Sequence, residues 1–165
     1  MKNLVFLCIG TTKIIGDSIG PKVGDKLKNQ GVNAYVYGNS QRQVTAINVD
    51  DYAKMIKARH KDDIVIVIDS ALGKLKDIGA IKVTQNGIKP GGAFDKNKER
   101  IGDIGILAVV GDADGNRMQE LKDRDENFIS HLVDKVAEFA KGLLFKAVSL
   151  GAVQGAETQE QVFVY

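Results

Sequence analysis

Two acidic residues stand where an α/β chain usually keeps its chemistry. Asp17 lies in the loop Gly10-Thr-Thr-Lys-Ile-Ile-Gly-Asp-Ser-Ile-Gly-Pro21, directly after the apolar run Leu4-Val-Phe-Leu-Cys-Ile9. Asp69 ends the run Ile64-Val-Ile-Val-Ile68, an unbroken β-branched stretch and the strongest strand in the chain. In an open parallel sheet the loops at the carboxyl ends of the strands emerge on one edge, where ligands bind. The two carboxyls can then face one another across a single cleft. Neighbouring carboxyls shift each other's ionisation and can divide acid and base roles around a water. The plainer alternative is that Asp17 caps the following helix and Asp69 holds a turn.

Other chemistry is a poorer fit. A phosphate loop of the Walker type needs a glycine, four residues, then Gly-Lys-Ser/Thr. Here five residues separate Gly10 from Gly16, and Asp17 stands where the lysine belongs. A carboxylate there repels phosphate, and the loop does not fit Gly-x-Gly-x-x-Gly either. Cys8 falls inside the first strand and reads as a buried structural thiol. His60 and His131 fall on helices away from the candidate loops and read as surface or packing residues. No cluster has structural-zinc spacing. Asp112 and Asp114 in Gly-Asp-Ala-Asp-Gly lack the remaining ligands of a calcium loop and read as a solvated turn.

The elements that position the two acids follow from periodicity. Ile19, Val23 and Leu27 recur every four residues and mark a helix after the first loop, with Ser18 as its cap, Pro21 in its first turn and Gly31 as its stop. Residues 32–37 read as a second strand and residues 44–49 as a short edge strand or extended loop. A helix follows, capped by Asp50, with Ala53, Met55 and Ile56 on its inner side. Residues 80–84 and 103–110 read as further strands. Residues 86–102 read as a loop, long for a compact domain and of the kind that is often functional. Phe128, Ile129, Leu132, Val136, Phe139, Ala140, Leu143, Ala147 and Val148 hold a helical period to near residue 148, with Asp123 and Glu126 at capping-box spacing and Gly142 as a bend or end. The expectation is a three-layer α/β/α fold, with a mostly parallel twisted sheet and helices on both faces. Residues 1–150 form one domain, and residues 151–165 form a tail in which Val162-Phe-Val-Tyr165 reads as an edge strand or as disordered.

Composition narrows the partners. The 165 residues carry 23 basic and 21 acidic side chains, a net charge of +2 that offers neither nucleic acid nor an anionic membrane a general surface. One cysteine excludes an intrachain disulfide and suits a reducing compartment. The six apolar residues after Met1-Lys-Asn are too few for a secretory signal, and no apolar run approaches a membrane span. A cytoplasmic location is expected.

Five segments occur in a recognisable order: Cys8-Ile-Gly-Thr11, Gly16-Asp-Ser-Ile-Gly-Pro21, Val67-Ile-Asp-Ser-Ala-Leu-Gly73, Ile88-Lys-Pro-Gly-Gly92 and Ile101-Gly-Asp-Ile-Gly-Ile106. Over roughly residues 3–142 they make the chain resemble a family of small sporulation proteins grouped with the spore proteases of spore-forming bacteria. That family looks related to the germination protease that degrades small acid-soluble spore proteins. It is also similar in fold, phosphorylase/hydrolase-like, to the hydrogenase maturation endopeptidases. The resemblance implies that Asp17 and Asp69 are a catalytic pair and that Lys89-Pro-Gly-Gly92 borders the cleft. In the maturation enzymes the matching acids bind nickel of the substrate protein together with a histidine. No histidine occurs between Asn86 and Gly92 here.

The resulting expectation is a sporulation-associated peptidase that cleaves a protein or peptide substrate with Asp17, Asp69 and an activated water. Thr11, Thr12, Gly16, Lys89, Gly91 and Gly92 are its substrate-binding residues, and backbone amides of Thr11 and Thr12 or of Gly91 and Gly92 stabilise the oxyanion. No cofactor is expected. The alternatives are a divalent-metal hydrolase that holds its metal at Asp17 and Asp69, and a non-catalytic binding or regulatory protein on a peptidase fold. Partners are a protein or peptide substrate and a second copy in a homo-oligomer, not nucleic acid or membrane.

Overall fold

A computed structural model describes residues 2–90 and 98–153. Gly91, Gly92 and the apolar stretch 162–165 lie outside the described residues. Five strands, β1 (Leu4–Cys8), β2 (Tyr35–Tyr37), β3 (Ile64–Gly73), β4 (Ile81–Gln85) and β5 (Ile104–Asp112), form one sheet in the order β2-β1-β3-β5-β4. β2, β1, β3 and β5 are parallel, and β4 runs antiparallel on the edge beside β5. The helices are α1 (Ile19–Asn29), α2 (Val49–Arg59), α3 (Arg117–Lys122) and α4 (Glu126–Ser149).

β1 explains the layering. All five of its residues are buried, and because side chains alternate across a strand it feeds two cores. Leu4, Phe6 and Cys8 join the cluster of α1 and α4, together with Ile19, Val23, Leu27, Ile129, Leu132 and Val136. Val5, Leu7 and Ile9 join the cluster of α2, with Val49 and Ile56. A strand covered on both faces must be a continuous apolar run, which is what the sequence shows. β3 repeats the pattern: Ile66 and Ile68 belong to the first cluster, Val65 and Val67 to the second. The fold is therefore the expected α/β/α arrangement.

Several boundaries move. β2 covers three residues, and Val32 and Ala34 before it pack against the core without joining the strand. The 44–49 segment makes a single bridge, Val44 to Ile9, before turning into α2. α2 starts at Val49 with Asn48 as its cap residue, not Asp50, and its partly buried inner side includes Tyr52. Ser18 is the N-cap residue of α1 as expected, but its side chain makes no capping bond: its hydroxyl donates to the Ile15 carbonyl at 2.6 Å. β3 does not end on Asp69. Pairing with β5 carries it on to Gly73, across a bulge between Ala71 and Leu72. β5 likewise continues through Gly111 and Asp112. The polar stretch after it contains α3, separate from α4, and the cap of α4 is Asp125, whose carboxylate accepts from the Phe128 amide at 2.9 Å. Gly142 is buried inside α4 and does not end the helix. The long 86–102 segment is pinned by an antiparallel bridge between Ile88 and Ile101.

Candidate active site

Strand order fixes where the site is. From β1 the chain crosses through α1 to β2 on one side, then through α2 to β3 on the other. The direction of winding therefore reverses between β1 and β3, and open α/β sheets bind ligands at the carboxyl ends of the strands flanking such a reversal. Asp17 follows β1, in a 3-10 turn at Ile15–Asp17. Asp69 lies within β3, paired in register with Leu107 of β5. Both line one cleft of about 620 Å³.

The first loop is shaped to bring Asp17 to β3. Gly10 has φ 146°, and a Cβ on it would lie 2.1 Å from the Asp17 carbonyl oxygen, so only glycine lets the turn fold back onto the strand end. The Thr11 amide donates to that same carbonyl at 2.9 Å. Gly16 is buried under α3, where a Cβ would come within 2.6 Å of the Leu121 carbonyl.

The two carboxyls are joined by one residue. Ser70 donates its backbone amide to Asp69 Oδ1 at 2.8 Å and its hydroxyl to Asp17 Oδ1 at 3.3 Å. Burial pushes Asp69 well above the usual carboxylate range, and the negative charge of Asp17 pushes it further, against the Ser70 amide and the Arg117 cation. Burial also raises Asp17, but the Ser70 hydroxyl, the Thr11 amide and Arg117 all favour its charged form. Both acids thus hold protons more tightly than ordinary aspartates, and Asp69 is the one that carries both desolvation and the repulsion of a neighbour.

Of the other expected residues, Lys89 lines the cleft, together with Pro90 and Gly10. Gly16 lies under α3 and acts in packing. The Thr12 amide donates to Gln43 Oε1 at 3.2 Å, while Gln43 donates back to the Thr12 hydroxyl at 2.9 Å. The amides expected to stabilise an oxyanion, those of Thr11 and Thr12, are thus both committed to internal acceptors. Ser70 and Arg117 are site residues that the sequence reading missed. Ser70 stands in a quoted segment directly after Asp69. Arg117 had one usable signal, its position just past the carboxyl end of a parallel strand. Arg100 also lines the cleft, with its guanidinium donating to the carbonyls of Asn86 and Gly87.

Among the described residues no group of three His, Cys, Asp or Glu side chains is arranged to hold a metal ion. Asp17 and Asp69 have the Ser70 hydroxyl and the Arg117 cation as neighbours, and that cation opposes a second positive charge. His60 serves elsewhere: it is buried, with Nδ1 on Asp63 Oδ2 at 2.7 Å and Nε2 on the Tyr37 hydroxyl at 2.9 Å. His131 is exposed on α4. Cys8 is buried and its thiol is pushed up to about 12, chiefly by desolvation, which leaves it unreactive.

The family model described as "Protein of unknown function (DUF1256)" matches residues 1–138. The chain belongs to the DUF1256 family. Within curated proteins it is 33% identical over 138 residues to "Uncharacterized protein YyaC" of Bacillus subtilis (strain 168), a match covering 83% of this chain and 67% of the relative. Among solved structures it is similar to the [NiFe] hydrogenase maturation protease HycI from Thermococcus kodakarensis KOD1, with a TM-score of 0.58 at 18% identity over 87% of this chain and 92% of that one. The second likeness shows the fold. This DUF1256 chain therefore has the fold of a maturation protease, with a dicarboxyl cleft at its topological switch point. No helix among its described residues is long and apolar enough to cross a membrane.

Proposed function

We propose that the chain is a peptidase that cleaves a protein substrate of the sporulating or germinating cell with an aspartate pair and an activated water. The observation that carries this reading is the sharing of one cleft by Asp17 and Asp69, joined through Ser70, with ionisation preferences set apart by their surroundings. The protease-like fold supports it. The sporulation setting rests on the segments from Cys8 to Ile106 that resemble the spore-protease family.

The chemistry divides between the acids. Asp17, whose charge three neighbours favour, is the general base; Asp69, the harder to ionise, is the general acid. A water between them attacks the peptide carbonyl, forming a carbon–oxygen bond and giving its proton to Asp17. The Arg117 guanidinium offsets the charge that develops on the carbonyl oxygen. Collapse breaks the carbon–nitrogen bond as Asp69 gives its proton to the leaving amine. Exchange with solvent then returns Asp17 to its ionised form and Asp69 to its protonated form.

The test is hydrolysis of unfolded proteins and quenched-fluorescence peptide pools by the purified chain, with Asp17→Asn and Asp69→Asn as controls. Each variant is expected to lose about 10²–10⁴-fold in rate, with the wild type unaffected by chelators. Equal cleavage by both variants would sink the dyad. Loss of wild-type activity on chelation, restored by a divalent cation, would instead favour the metal hydrolase. A partner bound equally by wild type and both variants, without cleavage, would favour the binding protein.

A further inference from the structure

We propose that Ser70 is a positioning residue that couples the two carboxyls by donating to both, and that its hydroxyl selectively supports the charged form of Asp17. It donates twice, once to each acid, and from chemically different groups. The backbone amide to Asp69 Oδ1, at 2.8 Å, depends only on strand geometry. The hydroxyl to Asp17 Oδ1, at 3.3 Å, depends on the side chain. A substitution at Ser70 therefore removes the link to Asp17 and leaves the link to Asp69 in place.

The register of β3 produces this double contact. Alternation assigns Asp69 to the α2 face, with Val65 and Val67, and turns the next side chain to the opposite face. That face is where the loop before α1 brings Asp17. Two acids that line one cleft are thus reached by a single residue, one through its main chain and the other through its side chain. An apolar residue at position 70 would satisfy the strand equally well, so strand formation does not require the hydroxyl. The acceptor of that hydroxyl is Asp17.

The other groups facing the pair act on both acids or on one through fixed backbone. Arg117 from α3 attracts both charges. The Thr11 amide acts on Asp17 from the first loop. Lys89 and Arg100 also line the cleft. Ser70 alone among these favours one specific acid through a removable side-chain group. Without its hydroxyl the charged form of Asp17 loses a donor, so Asp17 takes up a proton at higher pH. Asp69 ionises above Asp17, when that neighbour is charged with or without the hydroxyl, so its midpoint stays in place. The gap between the two midpoints narrows from the Asp17 side.

The experiment is site-resolved titration of the aspartate side-chain carboxyl carbons by NMR on the full chain. Asp17→Asn and Asp69→Asn supply the assignments, and Ser70→Ala, Ser70→Thr and Ser70→Cys are the test variants. Ser70→Ala is expected to raise the Asp17 midpoint by about one pH unit, the worth of one modest hydrogen bond to a charge, and to leave that of Asp69, which keeps its backbone donor, in place. Ser70→Thr, which keeps the hydroxyl and suits a strand, is expected to restore the wild-type Asp17 midpoint. Ser70→Cys, a weak donor of similar size, is expected to fall between, and it carries the test if the alanine variant does not fold. An unchanged Asp17 midpoint in the alanine or cysteine variant, or an Asp69 midpoint that rises as far as that of Asp17, would overturn the proposal. This titration needs no turnover, so it stands or falls apart from the peptidase reading. Where peptide cleavage is seen, the proposal rests on that reading for one more outcome: Ser70→Ala should narrow the bell-shaped pH profile of kcat, with the acid limb shifted upward.

Discussion

Replacing Asp69 with asparagine should make the folded protein more stable at neutral pH, an outcome that separates a functional carboxyl from a structural one. The folded protein holds a proton on Asp69 at pH values where the unfolded chain, with an ordinary value of 3.8, has lost it. A group raised in this way opposes folding once it must ionise. The penalty is absent below the unfolded midpoint, grows as pH rises towards the folded midpoint, and is complete above it. Each pH unit between the two midpoints is worth about 1.4 kcal/mol, and about 1 kcal/mol moves Tm by roughly 2–4 °C in a domain of this size. The asparagine side chain keeps an acceptor for the Ser70 amide and carries no charge to be repelled by Asp17. Thermal unfolding followed by circular dichroism should therefore show a Tm gain of about 3 °C or more at pH 8. The gain should fade at about pH 3.5, where the wild-type carboxyl is largely protonated in both states. A lower Tm at pH 8, or an equal gain at both pH values, would refute the assignment of a strained, charge-burdened Asp69.

Three further outcomes rest on named contacts. Asp63 is the opposite case to Asp69: donors from Asn3 and His60 outweigh its burial and hold it below the usual range. Its stabilisation is complete above the unfolded midpoint and is lost as pH falls through the lower folded one, so Asp63→Asn should lose about 1–3 kcal/mol at pH 7 in urea unfolding, and less in acid. Gly10→Ala should destabilise by about 2 kcal/mol or more, because the new Cβ meets the Asp17 carbonyl at 2.1 Å; a urea midpoint equal to wild type would contradict the tight turn. Cys8 should resist a thiol reagent in the native protein at pH 8 and react on unfolding, given its burial and a thiol pushed up to about 12; rapid native labelling would count against the buried strand.

Local pattern carried most of the fold. β1 and β3 were readable because a strand covered on both faces has to be continuously apolar, and α1 and α4 because one face has to be apolar every three to four residues. The misread boundaries are those that distant pairing controls. Nothing local extends β3 beyond Asp69; its pairing with β5 does. Nothing local makes β4 antiparallel, since direction in a sheet is a relation between strands. Residues 111–115 read as a solvated turn, and no local signal announced the short α3 that follows at Arg117, with Asn116 accepting from the Gln119 amide and Leu121 buried on its inner side.

The candidate site divides along the same line. Residue type and spacing along one stretch of chain were enough to put Asp17 just after the first strand and Asp69 directly after the β-branched run, to exclude a phosphate loop at Asp17, and to surround the first acid with glycines. That the two acids share a cleft, that Ser70 bonds an acid 53 residues away, and that Arg117 acts on both came from the folded chain alone. So did the finding that the Thr11 and Thr12 amides have partners already. Hydrogen bonds and charge interactions act over a few ångströms, and strand order, which no local window contains, sets which distant residues come that close.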